Sequence, residues 1–400
     1  MTQKKEKLWV YSELFYPEET STSYIMTKIS NKLVEKYDVE VVCGYPSYDK
    51  SIDKDYLTLD PGVKIKRIKS YKGDKDKTSS RILKLLSLSF GFFYHLLFKV
   101  KSGDKIFTVT NPATFLVFAS ITKFFKKIEI TILVHDVFPE NTLAAGLVNN
   151  EKSFKYKLVR KIFNKSYSTF DHIIVLGRDM KDVFTEKLQS FKKKPQISII
   201  ENWADIKNIY PEKKDTGSLS NKVHFQFAGN LGSIQGLDTL IEIIGRISNE
   251  NVTFEFVGSG KMKPYLENYV LTHQLKNVFF NPPYPRSEQN NILNSCDVAI
   301  VTLSDKMLGL GVPSKTYNIL AAGKPVLYIG DKNSEVGLLI KEYNIGYQFD
   351  PGDQEGMLRF FNQLSSHEVT SILEKGANAR KLAEEKFSEK IILNKFINTI

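Results

Sequence analysis

The sequence predicts an α/β protein with two doubly wound parallel sheets. Three observations predict it. Short apolar, β-branched or aromatic runs recur along the chain with helix-length spacers between them. The runs do not alternate strictly, as expected of strands buried on both faces. The pattern lapses once, at ENWADIKNIYPEKKDTGSLSNK (201–222), which gains Pro, Gly, Ser and charge as an exposed connection does.

In the first half the strand runs are LWVYS (8–12), VEVVC (39–43), KIFTVT (105–110), ITILVHDVF (130–138) and HIIVLG (172–177). In the second they are VHFQFAG (223–229), VTFEFVG (252–258), NVFF (277–280), DVAIVTL (297–303), PVLYIG (325–330) and GYQF (346–349). This order predicts a first Rossmann-like domain over 1–205, a linker at 206–221 and a second domain over 222–387. SEKIILNKFINTI (388–400) has helical spacing and needs a surface for Ile391, Ile392, Phe396 and Ile397, so it is expected to pack back on the first domain. A length of 400 residues allows two or three domains, and 42% hydrophobic with 25% charged residues is a core-forming balance. The two cysteines, Cys43 and Cys296, lie in apolar runs of opposite halves, which argues against a disulfide scaffold and a Cys-based metal site. The N-terminal MTQKKEKLWVYSELFYPEE has no long apolar h-region, so secretion is not expected.

The net charge of +11 biases the protein toward anionic partners. Between Lys64 and Lys105 stand 12 basic and 3 acidic residues, and inside that region ILKLLSLSFGFFYHLLF (82–98) carries one charge. Its 17 residues make a helix of about 25 Å, short for a span. Flanked by Arg81, Lys84, Lys99 and Lys101 and presenting Leu85, Leu86, Leu88, Phe92 and Phe93, it is read either as an interfacial helix drawn to anionic lipid or as a core helix with a solvated face. Residues 152–165 add six bases and no acids, interleaved with Phe154, Leu158, Ile162 and Phe163.

FAGNLGSIQGLDTLIEII (227–244) passes from a strand through Gly229 and Gly232 into an amphipathic helix. Such a turn offers backbone N–H groups and a helix dipole to a diphosphate, though the same glycines also serve a plain tight turn. In LGLGVPSKTYNILAAGKPVLYIG (308–330), Ser314 is a candidate N-cap and Lys315 stands in the first helical turn, against the dipole preference unless an anion neutralises it. GSGK (258–261) lacks the Walker spacing and reads as a turn, and the DKD triplets at 53–55 and 74–76 sit in Lys-rich polar stretches without the strand a metal site needs.

Together these segments resemble glycosyltransferase family 4, of the GT-B fold, in which two Rossmann-like domains face each other across a cleft. FAGNLGSIQGLDTLIEII is similar to the strand-loop-helix that receives the donor diphosphate, and GVPSKTYNILAAGKPVL to the donor-binding loop and helix of the subgroup with PSKxY. LFYPEETSTSYIMTKISNKLVEKYDVEVVCGYPSY resembles the opening βαβ unit, and LVHDVFPENTLAAGL the HDxxPE acceptor-side segment. The resemblance covers nearly the whole chain. It implies donor contacts from Gly229, Asn230, Gly232, Gln235, Gly311, Ser314, Lys315, Tyr317 and Asn318. His135 is then close to the donor sugar, with Asp136 or Glu140 orienting or deprotonating the acceptor hydroxyl. Thr20 and Ser21, where relatives often have paired glycines, fall on the acceptor side with Lys84, Phe92, Phe93 and Lys99.

The sequence departs from the family at several points. Asn230 and Gln235 stand where many members carry Arg and Lys, and the paired family glutamates fall on Leu310 and Asn318. Lys315 is the expected compensation for the missing phosphate partners, and Asn318 the expected hydrogen-bond partner of a ribose. The function implied is transfer of a sugar, an N-acetylated or deoxy hexose, from a nucleotide diphosphate, UDP favoured and GDP possible, to a polyprenyl-diphosphate-linked saccharide of a bacterial surface polysaccharide. Transfer is expected to retain configuration and to need no metal or other cofactor. The expected location is peripheral, on the cytoplasmic face of the cell membrane, where anionic lipid is the surface partner. Nucleic acid is not expected as a partner, because the basic surface is interleaved with aliphatics instead of stacking aromatics. Two alternatives are a GT-B sugar-nucleotide epimerase and a basic nucleic-acid- or membrane-binding protein.

Overall fold

The computed structural model describes residues 5–18, 20–46, 57–73, 78–144, 146–148, 150–212, 222–232, 235–365 and 368–400. Both DKD triplets, residues 213–221 of the expected linker and the Arg81 side chain lie outside the described residues. The chain divides into two units: 1–143, 148–200 and 393–400 form the first, and 144–147 with 201–392 form the second.

The first unit runs β1 (Glu6–Ser12), α1 (Ser21–Leu33), β2 (Tyr37–Gly44), β3 (Lys64–Ile68), α2 (Thr78–Phe98), β4 (Lys105–Val109), α3 (Ala113–Phe125), β5 (Glu129–Val134), α4 (Glu140–Ala144), α5 (Phe154–Thr169), β6 (His172–Val175), α6 (Arg178–Leu188) and β7 (Gln196–Ile199). Its seven strands are ordered β3-β2-β1-β4-β5-β6-β7 and all pair in parallel. The order reverses between β1 and β4, which places a crevice beyond their carboxyl ends. Two strands, β3 and β7, were not evident in the sequence. Both are edge strands, and the charged KIKRI and the polar QISI bury little. An edge strand gains its place through one ladder of backbone bonds, so side-chain pattern says little about it.

The core of this unit sets the phase of α2. Leu88, Phe92 and Leu96 are buried, and Phe92 meets Tyr11 and Phe115 at 5.5 and 5.3 Å. Beside them His95 Nδ1 lies 2.9 Å from the Tyr11 hydroxyl, and burial holds the imidazole down to about 4. The expected outward placement of Leu88 and Phe92 is therefore corrected: they face the sheet. Phe93 is half-buried and stacks on Phe118 at 4.9 Å. The outward stripe is Ile82, Leu86, Phe90, Tyr94 and Phe98, one residue per turn.

The second unit runs β8 (Val223–Ala228), α7 (Leu237–Ile244), β9 (Val252–Val257), α8 (Lys263–Thr272), β10 (Val278–Asn281), α9 (Gln289–Asn294), β11 (Val298–Thr302), α10 (Lys315–Ala321), β12 (Val326–Ile329), α11 (Glu335–Tyr343), β13 (Gly346–Phe349), α12 (Gln354–Gln363) and α13 (Glu368–Glu385). Its six strands are ordered β10-β9-β8-β11-β12-β13, again parallel. Alternate phenylalanines of β8 and β9 form one face of its core: Phe225 stacks on Phe254 at 5.5 Å, and Phe361 of α12 meets both at 5.2 Å. The last helix, α14 (Glu389–Thr399), carries the chain from the second unit into the first. There Phe396 packs edge-on to Phe107 at 6.3 Å, and the Ile400 carbonyl accepts from Lys105 Nζ at 2.9 Å.

Two outcomes test this packing. Phe92→Ser should cost about 3 kcal/mol or more, through a cavity and a buried hydroxyl, whereas Phe124→Ser on the exposed end of α3 should change stability by less than about 0.5 kcal/mol; urea midpoints compare them. The second concerns His95. Its folded value lies near 4 while an unfolded histidine titrates near 6.5, so the unfolded state binds more protons in between. The stabilisation is complete above about pH 6.5 and is lost as pH falls toward 4, and His95→Gln should flatten that loss in urea melts taken across the window.

Candidate functional site

In the second unit the loops after β8 and β9 lie backbone against backbone. Gly229 N donates to the Val257 carbonyl and Leu231 N to that of Ser259, both at 2.9 Å. Gly258 and Gly260 have φ of 141° and 157°; a Cβ on the first would sit 2.0 Å from Gly229 O, and one on the second 2.2 Å from Leu231 O. Side chains larger than hydrogen have no room there. GSGK is thus a turn whose glycines let it clamp the β8 loop. This pairing also uses the Gly229 and Leu231 amides, so they are not the open anion donors expected from the glycine turn. Gly229 itself has φ 139°, and its missing side chain leaves space that Lys315 Nζ borders, 3.8 Å from where a Cβ would stand.

Lys315 opens α10 and turns its side chain onto β8. Its Nζ is sealed from solvent, has no hydrogen-bond partner, and lies 3.4 Å from the centroid of the Phe227 ring. Burial alone pulls the ammonium down to about 7, because no carboxylate offsets the lost hydration. Phe227 was not expected among the site residues, since an aromatic in a strand reads as core. Around this centre the other expected donor residues divide. Asn230 folds over Gly232, its Nδ2 3.1 Å from the position of a Gly232 Cβ. Gln235, just before α7, takes a hydrogen bond from Thr302 Oγ1 at the end of β11, 3.4 Å away. Thr302 is a second residue that sequence reasoning missed. Gly311 is buried before α10, and Ser314 occupies the N-cap position, exposed and without a side-chain capping bond.

Two donor expectations meet a different environment. Tyr317 is fully buried and packs edge-on to Phe387 at 5.1 Å, so its ring is core. Asn318 Oδ1 accepts from the Asp205 amide at 3.1 Å and its Nδ2 faces Gln289 Oε1 at 3.4 Å. Both ends of the amide are thus occupied within the second unit, where they tie residue 205 to α10.

In the first unit His135 and Asp136 follow β5 at its carboxyl end. The His135 amide donates to Thr110 Oγ1 at 3.3 Å, its Nε2 is buried without a partner, and burial holds the ring down to about 4. The imidazole is neutral at physiological pH. Burial raises the Asp136 carboxyl, with no charged neighbour contributing. Glu140 has a different partner: its Oε1 accepts from Lys187 Nζ of α6 at 2.5 Å, and both side chains are largely buried. Glu140, expected on the acceptor side, is thus held in an ion pair whose partner lies 47 positions downstream. Thr20 caps α1, its Oγ1 accepting from Ser23 N at 3.2 Å, and Ser21 opens that helix exposed. Lys84 turns toward Glu13, 3.5 Å away, instead of standing as an outward flank, while Lys99 is exposed. Among the described residues no group of His, Cys, Asp and Glu could hold a metal ion, and no helix is long and apolar enough to cross a membrane.

In the first unit α3 packs against both α2 and α5. Beyond the α2 stripe, Ile121, Phe124 and Phe125 are exposed on α3, and Phe154, Leu158, Val159 and Ile162 on α5. Phe124, Phe125 and Phe154 are 70%, 78% and 80% exposed, a degree of apolar exposure that marks an interaction surface. Lys155, Lys157, Arg160, Lys161 and Lys165 are exposed on α5 among them.

Residues 209–385 match the family described as Glycosyl transferases group 1. The probable glycosyltransferase WbjE of Pseudomonas aeruginosa is 31% identical over 396 residues, covering 98% of this chain and 96% of its own. The putative colanic acid biosynthesis glycosyl transferase WcaI of Escherichia coli K12 is 24% identical over 418 residues, covering 98% of this chain and 99% of its own. Among solved structures, sucrose-phosphate synthase from Thermosynechococcus elongatus superimposes with a TM-score of 0.77 at 13% identity, over 99% of this chain and 98% of that one. HepE of Anabaena, in complex with UDP, gives 0.69 at 14% identity, over 98% and 99%. The fold is GT-B, and the chain belongs to the group 1 glycosyltransferases.

Proposed function

We propose that the protein transfers a sugar, an N-acetylated or deoxy hexose, from a nucleotide diphosphate, UDP in preference to GDP, to a polyprenyl-diphosphate-linked saccharide during assembly of a bacterial surface polysaccharide. Transfer retains configuration and uses no metal. The observation that carries the donor half of this reading is the sealed, unpartnered Lys315 amino group beside Gly229. A buried basic nitrogen with no partner of its own suits an anion, and a diphosphate supplies one. The UDP held by HepE and the colanic acid assignment of WcaI support the nucleotide and the pathway class.

In this reading Lys315 stabilises the leaving diphosphate as its charge develops, and a donor phosphate oxygen helps take the acceptor proton. Neutral His135 lies at the donor sugar as a hydrogen-bond partner. Asp136, the carboxyl at the β5 end with no ion-pair partner described, orients the acceptor hydroxyl. Gly229, Asn230, Gly232, Gln235, Gly311 and Ser314 frame the diphosphate loop. The exposed aromatic and basic face of α2, α3 and α5 lies on the cytoplasmic leaflet, where rings enter the interface and lysines meet anionic headgroups. That placement brings the acceptor side next to a lipid-linked sugar.

UDP should raise the melting temperature of the protein with or without a chelator, and Lys315→Met should weaken UDP binding about 10- to 100-fold in calorimetry, as expected for a lost charge-assisted bond. Unchanged affinity in that variant contradicts the donor site. For His135→Ala, UDP affinity should survive while turnover falls on the order of 100-fold or more; equal turnover makes the histidine structural. Wild-type protein should float with vesicles containing anionic lipid, and Phe90→Ser with Phe124→Ser and Phe125→Ser should abolish flotation at unchanged stability. Flotation that persists in this triple variant removes the proposed face.

A further inference from the structure

The unpartnered Lys315 Nζ has a consequence for protons, which rests on the reading of Lys315 as the diphosphate partner. We infer that above neutral pH Lys315 is an amine in the empty enzyme and takes up a proton when a nucleoside diphosphate binds, so that the donor then enters together with a proton at Nζ.

The geometry leads there. The Lys315 Nζ is sealed from solvent and makes no hydrogen bond. Beneath it is an aromatic face, Phe227, at 3.4 Å, and beside it the backbone of Gly229. Charged and titratable groups on the elements around α10 are engaged elsewhere. His224 of β8 contacts Glu255 and Thr253, and the Tyr328 hydroxyl of β12 accepts from Ser334. On α13, Arg380 is bonded to the Ile209 and Ala321 carbonyls and to Glu384, and Lys375 to Asn344. Glu374, Lys381 and Glu385 of α13 are exposed. β11 contributes no ionisable side chain. Burial is the one influence resolved on the protonation of Lys315, and it leaves the group near 7.

A ring face attracts an ammonium too weakly to replace its hydration, so the empty site favours the amine. A diphosphate brings negative charge to the same spot and reverses that preference. The lone pair of Nζ then accepts a proton from water or buffer, and the resulting ammonium donates to a phosphate oxygen. When the nucleoside diphosphate leaves, the proton returns to solvent. The sign of the pH dependence follows. Below about pH 7 the free enzyme is already protonated and affinity is flat; above it each pH unit costs about tenfold in affinity until the bound-state value is reached.

Calorimetry of UDP binding between pH 7.5 and 9.0 tests this, because the terminal phosphate of UDP, ionising near 6, is already deprotonated there. With a free-enzyme value near 7, wild-type affinity should weaken about 25-fold across the window. Titrations in buffers of different ionisation enthalpy should report uptake of about 0.9 proton per UDP at pH 8. Lys315→Arg, which stays charged, should show a flat profile without uptake, and Lys315→Met a weak, flat one. A flat wild-type profile without proton uptake overturns the inference while leaving the donor site intact. The same slope and uptake in Lys315→Met also overturns it, by assigning the proton to another group. If the wild type and the arginine variant bind no UDP, the UDP donor reading itself fails.

Discussion

A lysine Nζ held out of water without a partner is the constraint on which the proposed donor site depends. Lys315 Nζ rests on Phe227, which belongs to β8 and to the core of the second unit. The strand is held in register by β9, and the loops after both strands meet through Gly229, Gly258 and Gly260, where no side chain fits. The parallel sheet, the glycine contact and the aromatic seat together hold the Lys315 Nζ beside the β8 loop. Asn230 and Gln235 of the loop between β8 and α7 are amides and bring no charge. In the proposed function the task of meeting the diphosphate therefore falls on Lys315, whose Nζ is already desolvated.

The first unit solves a different problem. Its helices α2, α3 and α5 must cover the sheet with one face, and their opposite faces remain rich in aromatics and aliphatics. In α2 the two faces are both apolar: Leu88, Phe92 and Leu96 fill the core, while Phe90, Tyr94 and Phe98 stand outside. A helix apolar all round is ordinarily buried on every side. Here protein supplies one side, and the proposed function gives the other to a lipid interface whose anionic headgroups would meet the exposed lysines of α5.

Much of this was legible from residues alone. All six strands of the second sheet were evident because each is a short apolar run next to a turn. In the first sheet β3 and β7 were hidden by their edge positions, where KIKRI and QISI carry no core pattern. Lys315 could be singled out by its misfit with the helix dipole, yet Phe227 could not, since nothing in a strand sequence says which ring lies under a cation. The basic and apolar character of 82–98 was plain, but when nearly every position is apolar the periodicity has no contrast, and the inward side of Phe92 emerges only from its contacts with Tyr11 and Phe115. The ion pair of Glu140 was hidden because its partner, Lys187, comes from a separate helix. Tyr317 and Asn318 carried family roles by position, and local packing engages them with Phe387, Asp205 and Gln289 instead.

The most direct test of the donor account is a crystal structure of the protein with UDP. The account predicts the β-phosphate within hydrogen-bond distance of Lys315 Nζ, with the ammonium drawn off the Phe227 ring toward the Gly229 loop. Nucleotide bound with its phosphates away from Lys315, and the side chain still seated on Phe227 without a partner, would contradict it.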